Sequence, residues 1–426
     1  MPPGRPAGKD GGATGGMPFA GRPGECAGRG ERVSASSLPE IAVTETARSV
    51  LDWLAAQEGA MLSLLEEVVN MDSGSYDKAG VDAVGDRFAS FLAEHGMSVA
   101  RHPREGFGDA FLATLAGSGG SNRPVLLLGH RDTVFPKGEA ARRPFHIEAG
   151  RAYGPGVADM KAGLVMNAFV MAAYSRFGGH PAPLAMLITS DEEIGSPSCR
   201  GIIEETARGA RAVFNAEPGR PTGNIVTGRK GGVFMECHVT GRAAHSGGNF
   251  EAGISAITEI AHKIVALSAI TDIPNGVTLN VGLVSGGQSV NTVAPSATIG
   301  IDLRYVEPPQ RAQAMVRIEG IVTGATVPGT EARLEIKGEF LPLRQDEASR
   351  AVFDVYREAM GELGSRVEGE FTGGCADSGF TSAVGCPTVC ATGPVGGRAH
   401  SPEEYLEVAS MVPRAQGLAL AISRLI

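Results

Sequence analysis

The run Leu184-Ala185-Met186-Leu187-Ile188 is apolar at every position and gives way, after Thr189-Ser190, to three consecutive carboxylates, Asp191, Glu192 and Glu193. A short apolar segment without alternation, bounded by Pro183 and by polar residues, reads as a strand buried on both faces, as in a parallel sheet. A neighbour of the same kind is Pro124-Val125-Leu126-Leu127-Leu128-Gly129, which runs directly into His130, Arg131 and Asp132. Open α/β sheets bind their ligands at the carboxyl ends of such strands, where both runs deliver titratable side chains. Taken alone, the acidic turn is more often a solvated surface than a site.

Composition narrows the classes. A chain of 426 residues is long enough for roughly two or three domains. The net charge of −9 argues against a nucleic-acid or anionic-membrane partner, and no apolar run approaches the ~18 residues of a membrane span. Cysteines at 26, 199, 237, 375, 386 and 390 show no paired spacing, so reduced thiols and a cytoplasmic setting are expected. Residues 1–42 are rich in Gly, Pro, Arg and Ala, hold no signal-like apolar stretch, and are expected to be a disordered tail.

Ordered structure is expected from Val43. Val50, Leu51, Leu54, Met61, Leu64, Leu65, Val68 and Val69 are spaced for one core-facing helix opened by Thr44 or Ser49, and a second helix spans 81–95. Strands follow at 97–102, 110–115 and 124–129. Between 231 and 337 the texture changes: strand 233–240, helix 253–267, two or three strands among 277–284, 289–293 and 297–305, helix 310–322, strand 332–337. This predicts an inserted α+β layer, a sheet covered by two helices. Helices at 347–362 and 376–384, a strand at 387–391 and a helix at 403–425 close the chain. The expected fold is α/β: a mainly parallel central sheet flanked by helices from 43–230 and 338–426, plus a smaller α+β domain from 231–337.

Five residues at strand or loop ends carry the chemistry: His130, Asp159 after Gly154-Pro155-Gly156, Glu193, Glu217 after Ala212–Ala216, and His400 after Gly396-Gly397. Singly, each has an ordinary explanation; Asp159, for example, is also placed to cap the helix that follows. Together, two imidazoles and three carboxylates form a borderline-hard N/O donor set suited to Zn²⁺ and less selectively to Mn²⁺ or Co²⁺. Two ions ~3.5–4 Å apart need a bridging carboxylate and about two further ligands each, which this inventory supplies. Glu192 is left over beside a ligand, free to take a proton. Asp132 is two residues from His130, on the same face if the strand persists, where it can steer the imidazole.

With these motifs in order, the sequence resembles the co-catalytic zinc family of aminoacylase, glutamate carboxypeptidase, acetylornithine deacetylase and succinyl-diaminopimelate desuccinylase. The resemblance covers about residues 45–426 and rests on Gly129–Val134, Gly154–Gly163, Ser190–Gly195, Ala216–Pro218 and the His400 loop. It implies two zinc ions per subunit, one held by His130 and Glu217, the other by Glu193 and His400, with Asp159 bridging and its bond to Met160 cis. It further implies Asp132 as the support of His130 and Glu192 as general base. The 231–337 insert resembles the family's dimerisation or lid domain. There His245, in Gly241-Arg242-Ala243-Ala244-His245, matches a residue that reaches the partner subunit's site to stabilise the oxyanion. Asn291 and Arg304 match residues that grip the substrate carboxylate, and Lys230 and Gly373 match a glutamate-carboxypeptidase-like surround. Cys375-Ala376 and Lys337-Gly338-Glu339 depart from the closest members.

The function expected is hydrolysis of an amide or peptide bond next to a free carboxylate in a small peptide or N-acyl amino acid, by a homodimer. A metal-bridging water is the attacking group and Glu192 moves its proton. N-acyl-amino-acid deacylation or carbamoyl-amide hydrolysis would use the same residues on another acyl group. A non-catalytic metal-binding protein is the alternative from a different class, against which the retention of Glu192 speaks.

Overall fold

Val125–His130 and Leu184–Thr189 are buried at every residue and lie side by side in parallel, His130 paired with Thr189. In the computed structural model, which describes residues 44–120 and 122–425, they sit inside an eight-stranded sheet. Its order is Ser98–His102, Ala110–Leu115, Leu184–Thr189, Val125–His130, Ala212–Asn215, Thr388–Cys390, Ile225–Arg229 and Gly369–Thr372. The strands from Leu184–Thr189 to Thr388–Cys390 are parallel, and antiparallel pairs flank them. The tail expected at 1–42 lies outside the described residues.

Parallel strands need cover on both faces, and the two-residue period of the strands shows that they have it. Val125, Leu127, Met186 and Ile188 join one core with Phe169, Val68 and Leu418, whereas Leu126, Leu128 and Leu187 join another with Ile202, Ile203 and Phe380. The first core is centred on Ala162–Arg176, a helix buried almost all round. Phe169 from this helix packs 4.9 Å from Phe91 and 6.1 Å from Trp53, between ring centroids. The helix starts hard against the next strand end: a Cβ at Gly163 would stand 2.0 Å from the Ala216 carbonyl oxygen. Glycine here brings the segment before the helix beside Glu217.

The insert forms a separate antiparallel sheet ordered Thr278–Gly286, Ser296–Tyr305, Gly231–Thr240, Glu331–Phe340. Val233, Met235, Cys237 and Val239 alternate inward against Ile299, Ile301 and Leu303, with residues of the helices Ala256–Ser268 and Pro308–Thr323 in the same core. These helices bury an ion pair. Lys263 Nζ lies 2.7 Å from Glu259 and donates to the carbonyls of Ile321, Val322 and Gly324, while Glu259 accepts the Thr326 and Val327 amides.

Three expectations, and the ordinary capping explanation of Asp159, need correction. The single helix across 44–69 is two, Glu45–Ala55 and Glu58–Val69, because the Ala56 and Gln57 amides turn back onto Trp53 and Leu54. No strand forms at 289–293, where Ser289 bonds Asn291 and Thr292 in a local turn. Asp159 does not cap a helix; it and Met160 have non-helical backbone, joined by a cis bond, before the helix at Ala162. The last helix starts at Met411, because Tyr405–Glu407 pairs as a strand with Arg151–Tyr153 and Gly396–Gly397. Among the described residues the five cysteines are free, and no helix is long and apolar enough to cross a membrane.

Candidate active site

The strand Leu184–Thr189 stops before the acidic run, and Glu192–Ile194 is a single 3₁₀ turn. Asp132, arriving from the neighbouring strand, holds that turn. Its Oδ1 accepts the Glu192 amide at 3.1 Å, and its Oδ2 accepts the Glu193 amide at 3.2 Å and the Ser75 hydroxyl at 2.7 Å. His130 Nδ1 lies 3.1 Å from the Asp132 carbonyl oxygen and 3.4 Å from Oδ1. Asp132 thus holds the imidazole through its backbone carbonyl, with its carboxylate alongside, and the acidic turn through the carboxylate itself.

The other ring nitrogen faces a group of acids. His130 Nε2 lies 3.4 Å from Asp159 Oδ1, 3.6 Å from Glu217 Oε1 and 3.8 Å from Glu192 Oε2. His400 Nε2 lies 3.4 Å from Asp159 Oδ2 and 3.0 Å from Glu193 Oε2. Asp159 therefore turns one oxygen to each histidine. Two triads result, His130–Asp159–Glu217 and Asp159–Glu193–His400, each with its donor atoms within 4.8 Å of one another.

Four carboxylates share this space with two imidazoles, and burial, followed by the neighbouring charges, shifts several of these groups. Burial raises Glu192; His130 pulls the other way, but Glu217, Asp377 and Glu193 keep it well above the usual carboxylate range. Burial and Asp159 push Glu193 up to about 7. His400 is pushed up to about 10 by its hydrogen bonds to Asp159 and Glu193. Buried His130 Nε2 and Glu217 Oε1 have no hydrogen-bond partner, a costly state for polar atoms out of water. Orphaned donors of borderline-hard type, converging at ligand spacing, fit divalent cations such as Zn²⁺. A third group, Glu236, His238 and Glu335, differs: Lys337 Nζ stands 3.2 Å and 2.6 Å from its two acids, so it already has its cation.

A model of the family described as Peptidase family M20/M25/M40 matches residues 126–424. The chain belongs to that family. It is 30% identical over 367 residues to carboxypeptidase G2 of Pseudomonas sp. strain RS-16, covering 84% of this chain and 87% of that protein. It is 28% identical over 360 residues to acetylornithine deacetylase of Proteus mirabilis, covering 78% and 87%. Among solved structures, an M20 family metallo-carboxypeptidase from Sulfolobus solfataricus superposes with a TM-score of 0.71 at 17% identity, over 86% of this chain and 99% of that one. Aminopeptidase PepT from Bacillus cereus gives 0.69 at 21% identity, over 86% and 98%. The M20/M25/M40 chain is thus a hydrolase of the metallopeptidase class on this fold.

The remaining residues expected at the site of this M20/M25/M40 peptidase fall into two places. Arg304 pairs with Asp302, donates to Cys375 Sγ at 2.7 Å and lies 5.0 Å over the Phe234 ring. The Lys230 amide bonds Thr372, next to Gly373. Arg304, Lys230 and the 372–375 segment therefore gather where the two sheets meet. His245 and Asn291 are elsewhere. Both are exposed, on adjoining loops at the Thr240–Ser296 end of a strand pair whose other end is Gly232–Arg304. Eight residues of strand, roughly 26 Å, separate those ends, so one chain does not bring Asn291 to Arg304.

Several neighbours gave little sequence signal. Arg229 is buried, donating to Cys390 Sγ and to the carbonyls of Gly374 and Cys375. Burial opposes its charge, but Cys390, Glu217 and Glu192 hold it protonated. Asp377 accepts from Ser196 and Thr189, and burial pushes it up to about 7. Ser75 and Glu404 act by hydrogen bonds to a side chain or the backbone, which no motif announces.

Proposed function

We propose that this chain is a two-metal exopeptidase that hydrolyses an amide or peptide bond next to a free carboxylate, in the manner of a glutamate carboxypeptidase. The observation that carries the reading is Asp159, one oxygen in each triad, with Glu192 beside them and belonging to neither. Two zinc ions, held by His130 and Glu217 on one side and Glu193 and His400 on the other, would acidify a water and polarise the scissile carbonyl.

Glu192 then takes the proton of the attacking water and gives it to the leaving amine, acting as base and acid in turn. Asp132 keeps His130 oriented. Arg304, with Lys230 and Gly373 nearby, receives the carboxylate of the leaving amino acid, since a guanidinium binds such a group through two parallel hydrogen bonds.

A cavity of about 540 Å³ bordered by Glu193, Ile194, Tyr76, Val134 and Phe135 favours a bulky acyl side over acetyl. That supports the carboxypeptidase reading over N-acyl-amino-acid deacylation or a carbamoyl-amide substrate. The distance between Arg304 and the His245–Asn291 loops supports a homodimer in which a partner supplies the oxyanion donor, using residues 231–337 as the dimerisation and lid domain. The exposed Leu283, Val284 and Val265 of that domain suit such an interface. Free thiols suit the cytoplasm.

Release of free amino acid from N-acyl and N-aminoacyl substrates, with zinc and after chelation, tests the reading. Glutamate release from bulky acyl donors that chelation abolishes is expected. Deacetylation alone would move the chain to the deacylase reading, and turnover indifferent to chelation would remove the metal site.

A further inference from the structure

Glu404 is fully buried, on the loop that carries His400, and belongs to neither triad. Its carboxylate reaches a segment some 245 residues earlier in the chain and accepts three backbone N–H groups, from Gly156 at 3.0 Å, Ala158 at 2.9 Å and Asp159 at 2.9 Å. The last of these is the amide of the residue shared by both triads. A buried carboxylate is costly unless its oxygens are hydrogen-bonded, and here both are committed to one short stretch of backbone.

Both loops need such a tie. The Asp159 segment passes through left-handed backbone at Gly156 (φ +72), and it is non-helical at Asp159 and Met160. The His400 loop has non-glycine residues in left-handed backbone, Arg398 at φ 57 and His400 at φ 63, and the His400 side chain is 55% exposed. Non-glycine residues in that region persist only when the surroundings hold them there. The other triad leans on stiffer parts, since His130 ends a central strand, Glu217 follows one, and Asp132 buttresses His130.

We propose that Glu404 is a positioning residue that fastens the His400 loop to the Asp159 loop, and so sets the affinity of the Asp159–Glu193–His400 triad for its cation. The proposal rests on the two-metal reading above. Groups that hold metal ligands in place change affinity by roughly 10–100-fold when removed, and the effect falls on this triad more than on His130–Asp159–Glu217.

The test is Co²⁺ titration of the metal-stripped full-length chain, followed by calorimetry and by the visible absorption of bound cobalt, for the parent, Glu404→Gln and Glu404→Ala. The parent binds two ions. Glu404→Ala weakens one of them by at least roughly tenfold and the other distinctly less. Glu404→Gln, which keeps one carbonyl acceptor, falls between, and excess cobalt restores turnover with KM unchanged. Two ions bound by Glu404→Ala as tightly as by the parent would overturn the proposal, as would equal loss at both sites with a collapsed melting temperature. Hydrogen exchange on the metal-stripped parent gives a check that needs no variant: slow exchange at Gly156, Ala158 and Asp159 is expected, and exchange at the rate of open loops overturns the tie. A parent that binds no cobalt removes the two-metal reading itself, a result distinct from a parent that binds two.

Discussion

In the inserted layer, Lys263 is matched against Glu259, three carbonyls cradle its ammonium, and two amides reach the carboxylate. At the strand ends of the central sheet, Asp159, Glu192, Glu193 and Glu217 confront two imidazoles, and His130 Nε2 and Glu217 Oε1 have no hydrogen-bond partner. Both regions bury charge: Glu259 Oε1 also has no hydrogen bond but stands 2.7 Å from the Lys263 ammonium, one cation to one acid, whereas four carboxylates at the strand ends have only the two imidazoles and the Arg229 guanidinium. A closed set of charges fixes two helices to each other. An open set calls for cations from outside and holds protons at unusual values, the mark of a functional site.

The contrast is broken most severely at Glu192. Replacing it with alanine is expected to lower kcat by roughly a thousand-fold or more, with metal content and melting temperature kept. Loss of metal instead would make Glu192 a ligand and close the set differently. The next effect is structural. Lys263→Met should cost about 3–5 kcal/mol in urea unfolding, because it strands a buried carboxylate. Glu259→Leu with Lys263→Met should recover most of that loss, and neither variant should alter kcat per folded molecule. A double variant as unstable as the single one would show that the pair is not self-contained.

The smallest effect is in pH. Burial would raise the Glu259 carboxyl, but Lys263 and the Val327 and Thr326 amides outweigh it and hold it below the usual range. A depressed acid contributes stability that is present above its unfolded value, about 4.3, and lost as pH falls through its folded value. The parent should therefore lose more stability below about pH 4.3 than the apolar double variant, measured as the melting temperature across acid pH. Equal slopes would contradict the assignment.

The parts of the molecule visible in the sequence are those that local pattern controls. Val125–His130 and Leu184–Thr189 are apolar throughout because both faces are covered, and Glu347–Glu362 is bounded by an Asp346 cap that accepts the Ser349 amide. The five residues of the two triads were legible because each ends a strand or a glycine loop. His146–Glu148, Arg151–Tyr153 and Tyr405–Glu407 were not, since such short strands exist only through pairing with one another or with Gly396–Gly397. The separation of Asn291 from Arg304 depends on strand register, which composition does not carry. Glu404 and Ser75 stayed hidden because their partners lie far along the chain.

The central claim, that the open set of charges is completed by two cations, is tested most directly by counting zinc bound per chain after equilibrium dialysis of the metal-stripped protein. Two ions per chain are expected for the parent and for Glu192→Ala, and fewer than one for Asp159→Ala, which removes the shared carboxylate. A parent that binds no zinc, or an Asp159→Ala chain that still holds two ions, would contradict the account.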